Sequence, residues 1–141
     1  MDSTITHLPL IDCSKTPNGG SLGYLFYGAR RLISVEKWLL PTTPCVFGEN
    51  DTFQSCNSLT DITIEGVLWC SLSLSPCPLS RSSIENFVSV LSDEASGKTI
   101  TFNKAAVDKA FETSEGAADG STTAEWEALI ATKSNWTIAL A

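Results

Sequence analysis

Apolar residues in the first half of the chain follow a large-x-x-large rhythm with a 27-residue period. LFYGARRLISVEK (25–37) aligns over TFQSCNSLTDITI (52–64): Phe26 falls on Phe53, Ala29 on Cys56, Leu32 on Leu59 and Val35 on Ile62. One further step back from Leu32 and Val35 reaches Ile5 and Leu8. A segment such as Leu59-x-x-Ile62-x-Ile64 suits a short strand with alternate side chains on one face. One such strand cannot bury that face alone, but copies stacked in parallel build a continuous apolar ladder. Phe26 and Phe53 would fill the opposite wall, and Ala29 and Cys56 a tight interior position where a small apolar group fits.

After Gly66 the rhythm changes. VLWCSLSLS (67–75) alternates as a strand with Leu68, Cys70, Leu72 and Leu74 on one face, stopped by Pro76 and Pro78. From Ser80 a helix begins: Ser82 and Glu85 form an S-x-x-E capping box, Ile84, Phe87, Val88 and Leu91 share one face, and Gly97 closes its end. KTITF (98–102) is the next strand, with Ile100 and Phe102 one 28-residue step beyond Leu72 and Leu74. Val107, Ala110 and Phe111 share a face of a short helix, and ETSEGAADGS (112–121) reads as an acidic loop. Thr122 and Glu125 suggest a second capping box, with Trp126, Leu129 and Ile130 on the buried side, before a strand in NWTIALA (135–141). Ile138 follows Ile100 by one more 28-residue step plus the length of the acidic loop.

The expected fold is an α/β solenoid: a short array with an unbroken parallel strand ladder and two or three helices toward the C-terminus. Irregular repeats occupy 1–66 and strand-helix repeats with a cap occupy 67–141, in one continuous domain.

TFQSCNSLTDITIEG resembles the irregular leucine-rich repeats of the BspA type, an aromatic and a small Cys position followed by a leucine ladder. LSRSSIENFVSVLSD, GKTITFNKAA and TTAEWEALIATKSNWTIALA are similar to the C-terminal end of leucine-rich-repeat proteins encoded by gut bacteria and their tailed phages. The chain departs from that pattern in having only about two full BspA-type repeats and in placing Ala29, followed by Arg30-Arg31, where a Cys is usual. The resemblance implies a binding role without catalysis: a virion-associated structural or host-attachment protein of a phage, or a fragment of a bacterial cell-surface adhesin. The partner would be another virion subunit, a second copy, or a host surface molecule. The location would be the virion, assembled in the host cytoplasm, or the bacterial surface.

Composition narrows the partners. The net charge of −7 is uneven: residues 84–141 hold nine acids against four bases. With no basic stripe, nucleic acid is an unsuitable partner. The mean hydropathy of +0.08 and the short apolar runs give no membrane-spanning segment. The start, MDSTITHLPL, lacks the features of a secretory signal, so the chain either acts where it is made or is cut from a longer protein. Five cysteines without a CxxC and a single histidine point to reduced structural thiols, with no metal site and no cofactor. The sequons at Asn50 and Asn135 matter only in a glycosylating host.

Candidate chemistry is sparse. His7, flanked by Ile5 and Leu8, is the only imidazole available to a hydrolytic triad, and Asp93-Glu94 and Glu125-Glu127 suit helix ends; no catalytic residue is expected. Two surfaces remain for a partner. Ile5, Leu8 and Leu10 begin the ladder with no polar helix before them, leaving an edge open to docking. Trp38, Leu39 and Leu40, in WLLPTTP, sit in a loop after the second ladder strand, either packed under the coil or exposed as an aromatic-aliphatic patch.

Overall fold

A computed structural model describes residues 4–111 and 124–141. In chain order its elements are β1 (His7–Leu8), β2 (Ile11–Asp12), β3 (Ser34–Leu39), β4 (Asp61–Glu65), β5 (Leu72–Leu74), α1 (Arg81–Val90), β6 (Lys98–Phe102), α2 (Lys104–Ala110), α3 (Ala124–Ala131) and β7 (Trp136–Leu140). The strands pair in parallel in two sheets, and with three helices among the described residues they make an α/β fold.

The 27-residue rhythm is the register of the first sheet. His7 pairs Ser34 and Leu8 pairs Val35, while Ser34 pairs Asp61 and Val35 pairs Ile62. Beyond Val35 the register shifts: Trp38 pairs Ile64, so β3 uses three residues where β4 uses two. That extra residue is a bulge, which carries Trp38 to the inward side with Val35. Ile11 pairs Trp38, so β1 and β2 are the two halves of one interrupted strand along β3. Leu10 stands opposite the bulged position and is 52% exposed. Gly66, with φ of +115°, ends β4 against the Leu40 carbonyl, where a Cβ would overlap backbone.

The ladder expected to run unbroken stops at β4. Backbone carbonyls show why. Thr6 O accepts from Ile33 N–H (2.7 Å), and one repeat later Ile33 O accepts from Thr60 N–H (2.9 Å). The next carbonyl, Thr60 O, accepts from Ser80 N–H (2.7 Å) at the start of α1 and from Ser83 Oγ (3.3 Å). The helix continues the match: Ile62 N–H donates to Ser83 Oγ (3.0 Å) and Ile64 N–H to Asn86 Oδ1 (2.6 Å), while Asn86 Nδ2 donates to Ile64 O (3.1 Å). Side chains of α1 thus take the place of a further strand on the β4 edge, which would otherwise hold orphaned donors and acceptors. Ile84, Phe87 and Val88 bury the apolar face of the same helix.

Three local expectations change. The N-cap of α1 is Ser80, whose side chain accepts from Ser83 N–H, and not Ser82; Glu85 is drawn to Arg81 at 2.6 Å. The helix ends at Val90 with Leu91 as its cap, so Gly97, at φ +67°, shapes the turn into β6 instead. Only Leu72–Leu74 of the 67–75 run is a strand; Leu68 makes an isolated bridge to Leu91. The Thr122–Glu125 box and the 112–121 loop fall wholly or partly outside the described residues.

The second sheet has the order β5–β6–β7, with Leu72 on Ile100, Leu74 on Phe102, and Ile100 on Ile138, the pairings that the sequence spacings predict. One core spans both sheets. Phe26 stacks on Phe53 (4.9 Å between centroids), and Phe53 meets Phe87 (6.2 Å), Phe87 meets Phe102 (6.4 Å) and Phe102 meets Trp126 (6.1 Å). Leu59, Leu72 and Ile100 around it are fully buried.

Leu59→Asp or Ile100→Asp will unfold the protein, because an unpaired buried carboxylate costs several kcal/mol against a total stability of roughly 5–15 kcal/mol. Circular dichroism melting will show it, and a variant melting like the parent would put these side chains outside the core. Asn86→Leu preserves apolar contact but orphans Ile64 N–H and C=O, at about 1–3 kcal/mol per group. Its melting temperature should fall by at least about 5 °C; an unchanged value would show that the β4 edge does not need the helix.

Candidate binding surface

The structure separates the two expected surfaces. Ile5 and Leu8 are half-buried and Leu10 is exposed, on or beside strands whose only partner among the described residues is β3. Ile11, Cys13, Leu22 and Leu25 are half-buried against the same core. These first-repeat residues form an incompletely covered apolar face, whereas their counterparts Leu32, Val35, Trp38, Leu59 and Ile62 are buried.

Trp38, Leu39 and Leu40 form no exposed patch. Trp38 lies within β3 with 0% exposure, edge-on to Phe26 (5.1 Å), Phe53 (5.7 Å) and Phe47 (5.8 Å). Leu40 is 4% exposed and Leu39 half-buried. Trp38 Nε1–H is a buried donor with no acceptor among the described residues, held among aromatic rings. The bulge is the cause: without the extra residue, Lys37 would take the inward position.

His7 sits on the rim of the first sheet. Its Nδ1 lies 2.6 Å from Ser34 Oγ, and Ser34 is flanked in register by Asp61. The Asp61 carboxylate accepts from Thr60 Oγ1 (2.7 Å) and Ser80 Oγ (3.0 Å), on the far side of Ser34 from the imidazole. An acid that orients a general-base histidine would instead contact its ring. At the β2 end, hydrogen bonds from the Ser14 hydroxyl (2.6 Å) and N–H (2.9 Å) hold the Asp12 carboxyl below its usual range.

The cysteines follow their burial. Burial pushes the Cys56 thiol up to about 11, against a smaller lowering by the Ala29 backbone, and its Sγ donates to Phe26 O at 3.0 Å. Burial, with smaller contributions from Cys70 and Cys13, pushes Cys45 up to about 11 as well. Cys77 is raised well above its ordinary value by burial and by Cys56. All five are unbridged.

A groove that the sequence pattern does not single out lies across the other end of β4. It has a volume of about 480 Å³ and is lined by Trp69, Thr42, Ser89, Asp93, Glu94 and Lys133, among others. Trp69 Nε1–H donates to Thr42 O (3.2 Å), and Lys133 Nζ reaches Asp93 Oδ1 (2.6 Å) from a distant segment of the chain. The sequence places Trp69 only within a strand, and no local spacing links Asp93 to Lys133. Among the described residues no three His, Cys, Asp or Glu side chains are grouped to hold a metal ion, and no helix is long and apolar enough to cross a membrane. No family model, curated protein or solved structure matches this chain.

Thiol labelling of the native protein should modify the half-buried Cys13 and Cys70 first and spare Cys56 until denaturant is added. Rapid native labelling of Cys56 would contradict its interior position. The folded-state values near 11 stand above the ordinary value of 9.0, so Cys45 and Cys56 support the fold fully below about pH 9 and lose that contribution as pH rises through 11. The melting temperature should fall over that interval, less steeply in Cys56→Ala. Equal slopes in the two proteins would show that Cys56 is not the group responsible.

Proposed function

We propose that this chain is a non-enzymatic structural and binding protein: a short BspA-like leucine-rich-repeat solenoid, associated with a phage virion, that docks another protein through its first strands. The observation that carries the docking role is the contrast along the apolar ladder. Leu8 and Ile11 are half-buried, while Val35, Trp38, Ile62 and Ile64 on the following strands are shielded. At the far side of the same sheet, the β4 edge is met by the side chains of Ser83 and Asn86. One edge is closed by the fold and the other carries apolar side chains that the described residues leave half-covered, which is the arrangement of a docking edge.

The partner is a second copy or another particle subunit. The resemblance of the segments from Leu79 to Ala141 to phage-encoded repeat proteins supports placing it in the virion, and the 27-residue pairing register supports the repeat reading. The acidic second half, with its nine acids against four bases, then faces solvent or a basic neighbour.

Light scattering on the purified chain, alone and with candidate particle subunits, tests the docking. The expected result is a mass above the monomer that returns to monomer in Leu8→Lys, with an unchanged circular dichroism spectrum. Amide exchange should be faster in β1 and β2 than in β3 when the partner is absent. A strictly monomeric protein that binds no subunit, and whose β1 amides exchange as slowly as the core, would overturn the proposal.

A further inference from the structure

The groove beside Trp69 has chemistry that the docking edge does not use. The indole is half-buried and fixed in orientation by its hydrogen bond to Thr42 O at 3.2 Å. Trp38, Trp126 and Trp136 are buried, so Trp69 is the tryptophan that offers ring surface to solvent. Beside it stand two exposed carboxylates. Asp93 uses Oδ1 to accept from Lys133 at 2.6 Å, and Glu94 has no side-chain partner among the described residues. Ser89, on the exposed side of α1, adds a hydroxyl at the rim.

Such a site is rich in free acceptors and poor in free donors. Lys133, the cation in the groove, is spent on Asp93 and on Leu91 O (2.8 Å). An anion would meet Asp93 and Glu94 without a free cation to receive it. A wholly apolar ligand would strip water from two carboxylates and return no hydrogen bonds. An organic cation would suit the ring, but at Asp93 it would sit beside the Lys133 ammonium. A neutral polyhydroxylated ring meets every term: its C–H face lies against the negative face of the indole, and its rim hydroxyls donate to the carboxylates. The volume, about 480 Å³, is within the ordinary range for small-ligand sites.

We propose that this groove is a saccharide-binding site, with one neutral pyranose ring on Trp69 and its hydroxyls on Asp93 and Glu94. This goes beyond the assembly role and does not depend on it: failure here leaves the light-scattering test of the docking edge untouched.

The test is a ¹H–¹⁵N NMR titration of the full chain with the methyl glycosides of glucose, galactose, mannose and N-acetylglucosamine and with their short oligomers. At least one should shift the Trp69 indole N–H and the Asp93 and Glu94 amides together. Glu94→Gln should weaken that binding by about tenfold, as expected for losing a charged hydrogen-bond acceptor. Trp69→Ala should abolish it, and Ser89→Trp, which fills the groove from the helix surface, should do the same while leaving the indole in place. Saccharide shifts that survive both of the last two substitutions would overturn the proposal, as would no shift with any saccharide. Tetramethylammonium is the counter-probe; if it moves the same signals and the saccharides do not, the groove is a cation site and the proposal is wrong.

Discussion

The carbonyls of Thr6, Ile33 and Thr60 occur at 27-residue steps, and what each accepts decides where the first sheet goes. The first two receive backbone N–H groups from the following repeat, which extends the parallel ladder by one strand each time. The third receives Ser80 N–H and Ser83 Oγ, and extension ends there. A sheet edge in a folded protein must be paired, covered or solvated, because an orphaned backbone group costs about as much as the bond it lacks. Helix α1 covers this one with Ser83 and Asn86, whose amide presents to Ile64 both the acceptor and the donor that a strand would have presented. Gly66, at the end of β4, and Ser89, on the same helix, both line the groove beside Trp69.

Aromatic contact is what lets the architecture change without dividing the core. Strand spacing lengthens from a 27-residue step in the first sheet to a 28-residue step, and then a longer one, in the second. The ring contacts nevertheless run from Phe26 through Phe53, Phe87 and Phe102 to Trp126 without a break. Phe53 lies in a turn, Phe87 on a helix and Phe102 on a strand. A large flat side chain can reach the same interior line from each of these backbones, so the core tolerates the switch better than the hydrogen-bond ladder does. Trp38 shows the cost of such filling: its ring packs among three phenylalanines while its N–H finds no acceptor among the described residues.

Much of this was legible in the sequence because spacing translates directly into parallel register. The recurring offsets name the partners Leu8–Val35, Val35–Ile62, Leu72–Ile100 and Ile100–Ile138. Spacing cannot report a bulge, however, because an extra residue in β3 leaves the 27-residue match on either side nearly intact. Trp38 and Leu40 therefore read as loop residues, packed or exposed, and are core, while Leu10, opposite the bulge, is exposed. The apolar face of α1 was readable at helical period, but its stripe of Ser83 and Asn86 was not: polar residues that replace a strand have the same local pattern as polar residues facing water. The groove escaped for a different reason, since Trp69, Glu94 and Lys133 come from three separate segments and meet only in the fold.

The distribution of covering also bears on how such a chain could serve two partners. At the first strands, the groups open to a partner are apolar and strand-like: Leu8, Leu10 and Ile11 with the backbone beside them. A partner there gains mainly by excluding water and adding to a sheet, which favours a broad protein surface. Beside Trp69 the accessible groups are one ring and two carboxylates around a small concavity, which favours a compact polar ligand. Helix α1 lies between them in the hydrogen-bonded frame, closing β4 through Ser83 and Asn86 and placing Ser89 at the rim of the groove. No described residue of β1 or β2 lines the groove.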